Sequence, residues 1–321
     1  MGNSLNILKA ERTSGFDWKS TADDVVHRLG VNMEGKVVVI TGANCGIGKE
    51  CARILAGKAK ADVIIGCRTL SKGEEAIADI KKEFPDAKLT LLKLDLASLA
   101  SIRAFADEFR ALAKPIHVLL NNAGVMNCPY METEEGFEMQ LGTNHLGHFA
   151  LTGLLLPCLK EAGSSRVVTV SSLAHRFAGM DFDDLMGKGT WYTGLQGPWK
   201  AYGQSKTANI LFAKELDKRS KEHGLGITAV SLHPGSIFTE LGRHMLLFRL
   251  AYPVTMFFFK TISQGAATSV YCSTAPEVAG KGGQFFSDCN VATALDYAID
   301  DVSAKRLWDV SEELTKVRYT F

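Results

Sequence analysis

The chain has 321 residues, enough for one large domain or two small ones, and at that length roughly 75% of the unfolded surface can be buried. Hydrophobic residues at 46% and charged residues at 22% exclude the disordered and fibrous classes. With 36 basic and 35 acidic side chains the net charge is +1, which gives no electrostatic footprint for nucleic acid but leaves room for a local basic patch around a phosphate.

Residues 1–35 read as a polar extension, packed on the domain or loose; the pattern does not decide between the two. It has no apolar stretch of the signal-peptide kind. Gly2 invites myristoylation, but Asn6 stands where Ser or Thr is wanted. From residue 36 onward apolar, β-branched runs alternate with helical patterns. Strands are predicted over Lys36–Thr41, Asp62–Cys67, Leu89–Asp95, His117–Asn121, Arg166–Ser171, Gly226–Leu232 and Gly283–Phe286. Helices are predicted over Gly46–Lys58, Lys72–Phe84, Leu99–Ala113, Thr133–Lys160 and Lys200–His223. Runs such as Val37-Val38-Val39-Ile40 are apolar without interruption, which suits strands buried on both faces of a parallel sheet. The expected fold is α/β: a Rossmann-type, doubly wound, mainly parallel seven-stranded sheet with helices on both faces. It forms a single domain over 36–321.

The first strand runs into Thr41-Gly42-Ala43-Asn44-Cys45-Gly46-Ile47-Gly48, which then opens a helix. Glycines there let the backbone approach a pyrophosphate, and the helix N-terminus supplies donors and positive dipole. The plain alternative is a tight turn with no ligand. At the end of the second strand an NAD enzyme usually carries an acid for the ribose 2′-hydroxyl. Here Gly66-Cys67 occupies that place and Arg68 follows, so a 2′-phosphate and NADP(H) are favoured over NAD(H). A solvated surface arginine is the other reading. Asp95 ends the third strand, placed either to accept from the adenine amino group or to cap the next helix. Asn121-Asn122-Ala123-Gly124 ends the fourth, with residues small enough for a ribose to lie against the backbone.

Further on, Tyr202-Gly203-Gln204-Ser205-Lys206 sets a phenol and an ammonium four residues apart on one helical face. The ammonium is expected to stabilise the phenolate and draw the tyrosine pKa from ~10 toward neutrality. That suits a proton donor to a carbonyl. Alone the pair is weak. With the glycine turn and the upstream Ser171-Ser172 it indicates hydride transfer.

Together these pieces resemble the short-chain dehydrogenase/reductase superfamily, over about Lys36 to Thr315. The matching features are the TGxxxGxG turn, Asp95-Leu96, NNAG at 121–124, Asn144, Ser172, Tyr202, Lys206 and Pro234-Gly235. Asn144-His145-Leu146-Gly147-His148-Phe149, Ser171-Ser172-Leu173-Ala174-His175, His233-Pro234-Gly235 and Phe285-Phe286-Ser287-Asp288-Cys289 look like the retinol-dehydrogenase and WW-domain-containing oxidoreductase branch, although no WW domain is present. The resemblance implies that Tyr202 exchanges a proton with the substrate oxygen and that Lys206 holds the nicotinamide ribose. It also implies that Ser172 orients the substrate and that Asn144 interrupts its helix and holds a relay water. Asp95, Leu96, Asn122, Ala123 and Gly124 would line the cofactor, and Pro234, Gly235 and Thr239 would cover the nicotinamide. Strand alternation turns only one of Ser171 and Ser172 to the pocket, and the family register selects Ser172. His145 and His148 stand three apart with no third ligand, so packing or hydrogen bonding is expected rather than a metal.

The substrate side is expected between Ser172 and Tyr202, with Phe177, Phe182, Trp191, Tyr192 and Trp199, and at Met245–Phe259 (MLLFRLAYPVTMFFF). The latter is too short to span a bilayer. It caps a lipophilic pocket, touches a membrane surface, or is core or subunit interface. The expected substrate is a lipophilic small-molecule aldehyde, ketone or alcohol. The seven cysteines show no metal spacing and no Cys-x-x-Cys, and with no secretion signal they point to the cytosol or the cytosolic face of a membrane. A cofactor-binding regulatory or scaffold protein is the competing reading, disfavoured by the intact Asn144, Ser172, Tyr202 and Lys206 set.

Overall fold

The computed structural model describes residues 12–188, 192, 194, 196–237 and 259–321. Eight strands form one sheet in the order β3-β2-β1-β4-β5-β6-β7-β8. They are β1 Val37–Thr41, β2 Asp62–Cys67, β3 Leu89–Lys93, β4 Val118–Asn121, β5 Ser165–Val170, β6 Ile227–His233, β7 Phe285–Ser287 and β8 Asn290–Val291. The first seven pair in parallel, and β8 is a two-residue antiparallel addition that the sequence reading does not contain. It exists because Asp288 and Cys289 both take positive φ, at 51° and 61°, and so make a two-residue hairpin turn. All five residues of β1 are buried, since helices cover both faces of the sheet.

On one face lie α2, Gly46–Ala52, with its π-helical continuation Arg53–Lys58, and α9, Ile262–Thr274. On the other lie α4 Leu99–Ala111, α6 Gly147–Leu154, α8 Gly197–Glu222 and α10 Asp301–Thr315. Helix α3 spans Leu70–Glu83.

The predicted helix over Thr133–Lys160 is broken, for reasons that can be named. It starts only at Met139, because the Glu138 carboxylate caps the Gln140 and Leu141 N–H groups at 2.9 and 2.7 Å. The short α5, Met139–Leu141, leads into a π-helical turn over Gly142–Leu146. Between α6 and α7 (Leu156–Glu161) the ladder breaks at Leu155, where Pro157 falls in the first turn and cannot donate to the preceding one.

Residues 12–35 pack against the sheet domain. Helix α1, Ala22–Leu29, begins with a reciprocal Thr21–Asp24 capping box, ends at a left-handed Gly30, and docks on α9. Ahead of it, Asn290 of the β7–β8 hairpin accepts from the N–H groups of Thr13 and Ser14, both at 3.0 Å, and donates to the Phe16 carbonyl at 3.0 Å. Phe16 itself enters the core.

Candidate active site

In this sheet the order reverses beside β1, which has β2 on one side and β4 on the other. The carboxyl ends of β1 and β4 therefore bound a crevice of the kind that takes ligands in open α/β sheets. Thr41 closes β1, and the chain turns through Gly42 and Gly46, at φ 68° and 55°. Cys45 is extended at the head of α2. The turn is built without spare room: a Cβ on Gly48 would stand 2.5 Å from the Gly42 carbonyl oxygen and 2.5 Å from Asn122 Nδ2. Asn44, Gly46 and Ile47 are half-buried and Cys45 is exposed, so this turn presents backbone to the crevice.

Strand alternation divides the two asparagines of NNAG. Asn121 points away and donates to Thr152 on α6, at 3.1 Å. Asn122 faces the turn and donates to the Thr41 carbonyl, at 2.8 Å. The backbone N–H groups of Asn122 and Ala123 both reach Thr41 Oγ1, at 2.9 Å. Gly124 leaves space where a Cβ would lie 3.0 Å from Asn144 Oδ1 and 3.6 Å from Lys206 Nζ. Arg68 is exposed directly after β2, and among the described residues no carboxylate pairs with it. Asp95 is half-buried and accepts from the Ala97 N–H at 3.0 Å, while the N-cap of α4 is Ser98. Leu96 is buried, its carbonyl facing Gly147 on α6, where a Cβ would come within 2.5 Å.

Helix α8 carries Tyr202 and Lys206, and both are buried, at 4% and 3% exposure. The Ser172 side chain lies close enough to the Tyr202 phenol to favour its ionised form, and Lys206 Nζ lies 5.5 Å from the Tyr202 ring centre. Ser171 turns inward and donates to the Lys206 carbonyl at 2.7 Å, so the structure puts Ser172, not Ser171, beside the phenol. The expected drop in the tyrosine pKa is not found. Burial pushes Tyr202 up to about 12, with the Ser172 side chain opposing it, and burial pulls Lys206 down to about 8. The cause is geometric: the ammonium donates to the Val170 carbonyl at 3.1 Å rather than to the phenol oxygen, so desolvation dominates both groups.

Asn144 sits in the π-helical turn, which is the interruption expected of it. Its amide is engaged: Oδ1 accepts from the Val125 N–H at 2.8 Å, and Nδ2 donates to the Val125 carbonyl and to Ser205 Oγ, both at 2.9 Å. Ser205 in turn donates to the Tyr202 carbonyl at 2.8 Å. The sequence reading gave Ser205 no role; its place between two named residues, one turn beyond Tyr202 on the same helix, was the available signal. His145 and His148 go to hydrogen bonds, His145 to Ser311 at 2.9 Å and His148 to Thr41 at 2.8 Å.

Past β6, Pro234 leads into Gly235 at φ 95°, where a Cβ would meet the Lys260 stem at 2.5 Å. Lys260 is anchored to Asp288 of the β7–β8 turn at 2.6 Å. Thr239 and residues 245–258 lie outside the described residues, so the readings made for them find no structural counterpart here. Of the aromatics expected on the substrate side, Phe177 is 62% exposed and packs edge-on against Trp199 at 5.9 Å, and Trp199 packs against Tyr202 at 6.4 Å. These three rings lead from solvent to the reaction centre. Phe182 and Tyr192 are used otherwise: Phe182 lies under Arg306, and Tyr192 donates to the buried Glu138. Trp191 is outside the described residues. No helix among the described residues is long and apolar enough to cross a membrane.

Comparison with known proteins agrees with this geometry. Residues 36–182 match the family model for short chain dehydrogenase. Mouse retinol dehydrogenase 12 is 46% identical over 289 residues, covering 90% of this chain and 89% of the relative. Human retinol dehydrogenase 11 is 48% identical over 284 residues, covering 88% and 87%. A crystal structure of an uncharacterized protein from Mycobacterium paratuberculosis is 36% identical, superposes with a TM-score of 0.73, and covers 94% of this chain and 100% of that one. The NADPH-bound short chain oxidoreductase of Pseudomonas aeruginosa PAO1 shares the fold, with a TM-score of 0.64 at 17% identity, over 80% of this chain and 96% of that one. The chain belongs to the short-chain dehydrogenase/reductase superfamily, in its retinol dehydrogenase-like branch, a family of oxidoreductases acting on CH–OH and C=O groups.

Proposed function

We propose that the protein is an NADP(H)-dependent oxidoreductase that interconverts a lipophilic carbonyl compound and its alcohol, with Tyr202 as general acid and base. The observation that carries this reading is the buried Tyr202, beside Ser172 and flanked by Lys206, at the same end of the sheet as the glycine turn. A dinucleotide is supported by Gly42, Gly46 and Gly48, which keep side chains out of the turn, and NADP(H) by an exposed Arg68 directly after β2 in place of the acid an NAD enzyme usually carries there. When bound, the nicotinamide supplies the hydride in reduction and takes it up in oxidation.

The protein's own groups account for the proton. In reduction, Tyr202 Oη donates its proton to the substrate oxygen as the hydride reaches the carbon, and the Ser172 hydroxyl holds that oxygen in place. A phenol raised to about 12 is protonated at pH 7, so the proton is in place, but efficient transfer in either direction calls for a pKa nearer the working pH, which the Lys206 cation would have to bring about once substrate and nicotinamide fill the crevice. Once it has given up the proton, the Lys206 ammonium stabilises the phenolate. Asn144 holds the 124–125 backbone against α8 through Val125 and Ser205, which keeps the ribose side of the crevice in register with Tyr202. Thr239 is assigned to the cofactor on family grounds alone.

The line of Phe177, Trp199 and Tyr202 supports an apolar substrate, and the curated relatives named as retinol dehydrogenases point to a retinoid within that class, beside steroids and fatty aldehydes. A cytosolic setting fits seven cysteines that form no disulfide. The test is turnover of retinal, a steroid ketone and a series of aliphatic aldehydes with NADPH and with NADH. Efficiency should rise with buried chain length, at ~0.8 kcal/mol per methylene, and NADPH should be preferred. Absence of turnover across the whole panel would favour a binding protein instead.

A further inference from the structure

His148 lies on α6, one turn beyond Asn144, and is 1% exposed. Its two ring nitrogens have different partners. Nδ1 is 3.0 Å from the Asn144 carbonyl oxygen, and Nε2 is 2.8 Å from Thr41 Oγ1. A carbonyl oxygen can only accept, so the proton must be on Nδ1. The neutral ring then leaves Nε2 as a bare acceptor, and the Thr41 hydroxyl must donate to it. With its one proton spent, Thr41 Oγ1 offers its lone pairs to the backbone N–H groups of Asn122 and Ala123, both at 2.9 Å. Every hydrogen in this chain of bonds has one possible place. Burial holds the imidazole neutral, pulling its pKa down to about 4, so the arrangement persists at any pH at which the enzyme would work.

We propose that His148 is a positioning residue that ties the cofactor turn to the catalytic helix turn, with Nε2 ordering Thr41 and NNAG and Nδ1–H holding the carbonyl of Asn144. The inference rests on reading the crevice as a nicotinamide dinucleotide site. The π-helical turn over Gly142–Leu146 displaces backbone partners locally, and the ring occupies the Asn144 carbonyl from within the same helix. Asn144 in turn grips Val125 and Ser205 and so reaches Tyr202. The two nitrogens thereby serve two different functions, one for cofactor affinity and one for turnover.

That division is testable with amides that stand in for one nitrogen each. In His148→Gln the side-chain oxygen reaches the Nε2 position and can accept from Thr41. In His148→Asn the side-chain nitrogen reaches the Nδ1 position and can donate to Asn144. NADPH titration and steady-state rates should show His148→Gln with near-wild-type cofactor affinity and kcat reduced roughly tenfold, the scale of one lost buried hydrogen bond. His148→Asn should show the reverse, with affinity down about tenfold and kcat close to wild type. His148→Leu should lose both. Parallel loss of affinity and rate in the Gln and Asn variants, or a lowered melting temperature with neither parameter changed, would overturn the proposal.

A second measurement needs no variant to fold. Nitrogen-15 NMR of the wild-type histidines should show a buried ring protonated at Nδ1 and bare at Nε2, unchanged from pH 8 to 5. An Nε2-protonated or titrating ring at this position would overturn the assignment directly. A wild-type protein with the predicted tautomer that binds neither NADPH nor NADH would remove the cofactor reading, and the proposed coupling with it.

Discussion

Gly48→Ala should be among the most damaging single-methyl changes in the protein. The added Cβ would stand 2.5 Å from the Gly42 carbonyl oxygen, 2.5 Å from Asn122 Nδ2 and 3.0 Å from Ala43 Cα. Two of the three neighbours are backbone, so no side-chain rotation clears the space. Restoring ordinary contact needs a separation of about 0.9 Å between α2 and the strand ends, and overpacking of this kind costs ~1–3 kcal/mol. The same shift pulls Asn122 off the Thr41 carbonyl, now 2.8 Å away, at a further ~1 kcal/mol. A total of ~2–4 kcal/mol of stability should be lost, and a backbone donor moved out of reach of the pyrophosphate should weaken cofactor binding by roughly tenfold. The assay is NADPH titration by tryptophan quenching, beside thermal unfolding. Gly280→Ala is the control, since its Cβ would meet nothing within 4 Å and its φ is not positive; it should be neutral or slightly stabilising. A Gly48→Ala protein with affinity and melting temperature like those of Gly280→Ala would refute the close-packed turn.

Arg68→Ala removes the cation after β2 and should weaken NADPH by roughly 10- to 150-fold while leaving NADH nearly unchanged; equal losses in cofactor titrations would dismiss Arg68 as the 2′-phosphate partner. Tyr202→Phe should cut kcat at least ~10²-fold with NADPH affinity preserved, and near-normal turnover would exclude Tyr202 as the acid. His145 and His233 are held down to about 3 and His148 to about 4, chiefly by burial. Their folded values lie below the unfolded ~6.5, so below that pH the unfolded chain binds protons that the native state refuses. Stability present above pH 6.5 should then fall toward pH 4, by up to ~4 kcal/mol per pH unit for the three groups together; a free energy of unfolding that stays constant from pH 6.5 to 5 in urea titrations would contradict this. Asn290→Ala deletes the side chain that accepts from Thr13 and Ser14 and donates to the Phe16 carbonyl, and should cost ~2–3 kcal/mol with early proteolytic loss of the N-terminal segment. Unchanged protease resistance would show that α1 alone holds that segment.

The parallel sheet was legible because both-face burial writes itself as unbroken runs such as Val37–Ile40, and the glycine turn because its context, strand before and helix after, is local. Part of what failed to show was local and readable, and part depends on partners distant in sequence. The break of the 133–160 helix follows from Glu138 capping the N–H groups two and three residues on, and from Pro157 in the first turn of α7. Three helices are missing from the sequence reading, and each carries a readable N-terminal mark: capping boxes at Thr21–Asp24 and Thr261–Gln264 for α1 and α9, and the Asp300 cap for α10. The tyrosine pKa went the other way because spacing reports which face Lys206 shares, not that its ammonium is taken by the Val170 carbonyl. Strand alternation leaves Ser171 and Ser172 equivalent until the family register chooses Ser172, and the reason Ser171 is occupied, its bond to the Lys206 carbonyl, is not written in the local sequence.

The Asn290 contact also sets an order of assembly during synthesis. Thr13 leaves the ribosome 277 residues before the side chain that receives its N–H. At ~5–20 residues per second, that is an interval of tens of seconds. The segment around Thr13 and Phe16 is therefore among the last of the described parts to be fixed. Asp23 can pair early with Arg53 and Lys58, but Phe16 and the face of α1 that docks on α9 stay uncovered while β1 to β6 are being made, until α9 and the closing hairpin emerge. A nascent chain stalled before residue 290 would lack the Asn290 side chain that holds Thr13, Ser14 and Phe16, and would leave Phe16 as the apolar surface a chaperone would meet.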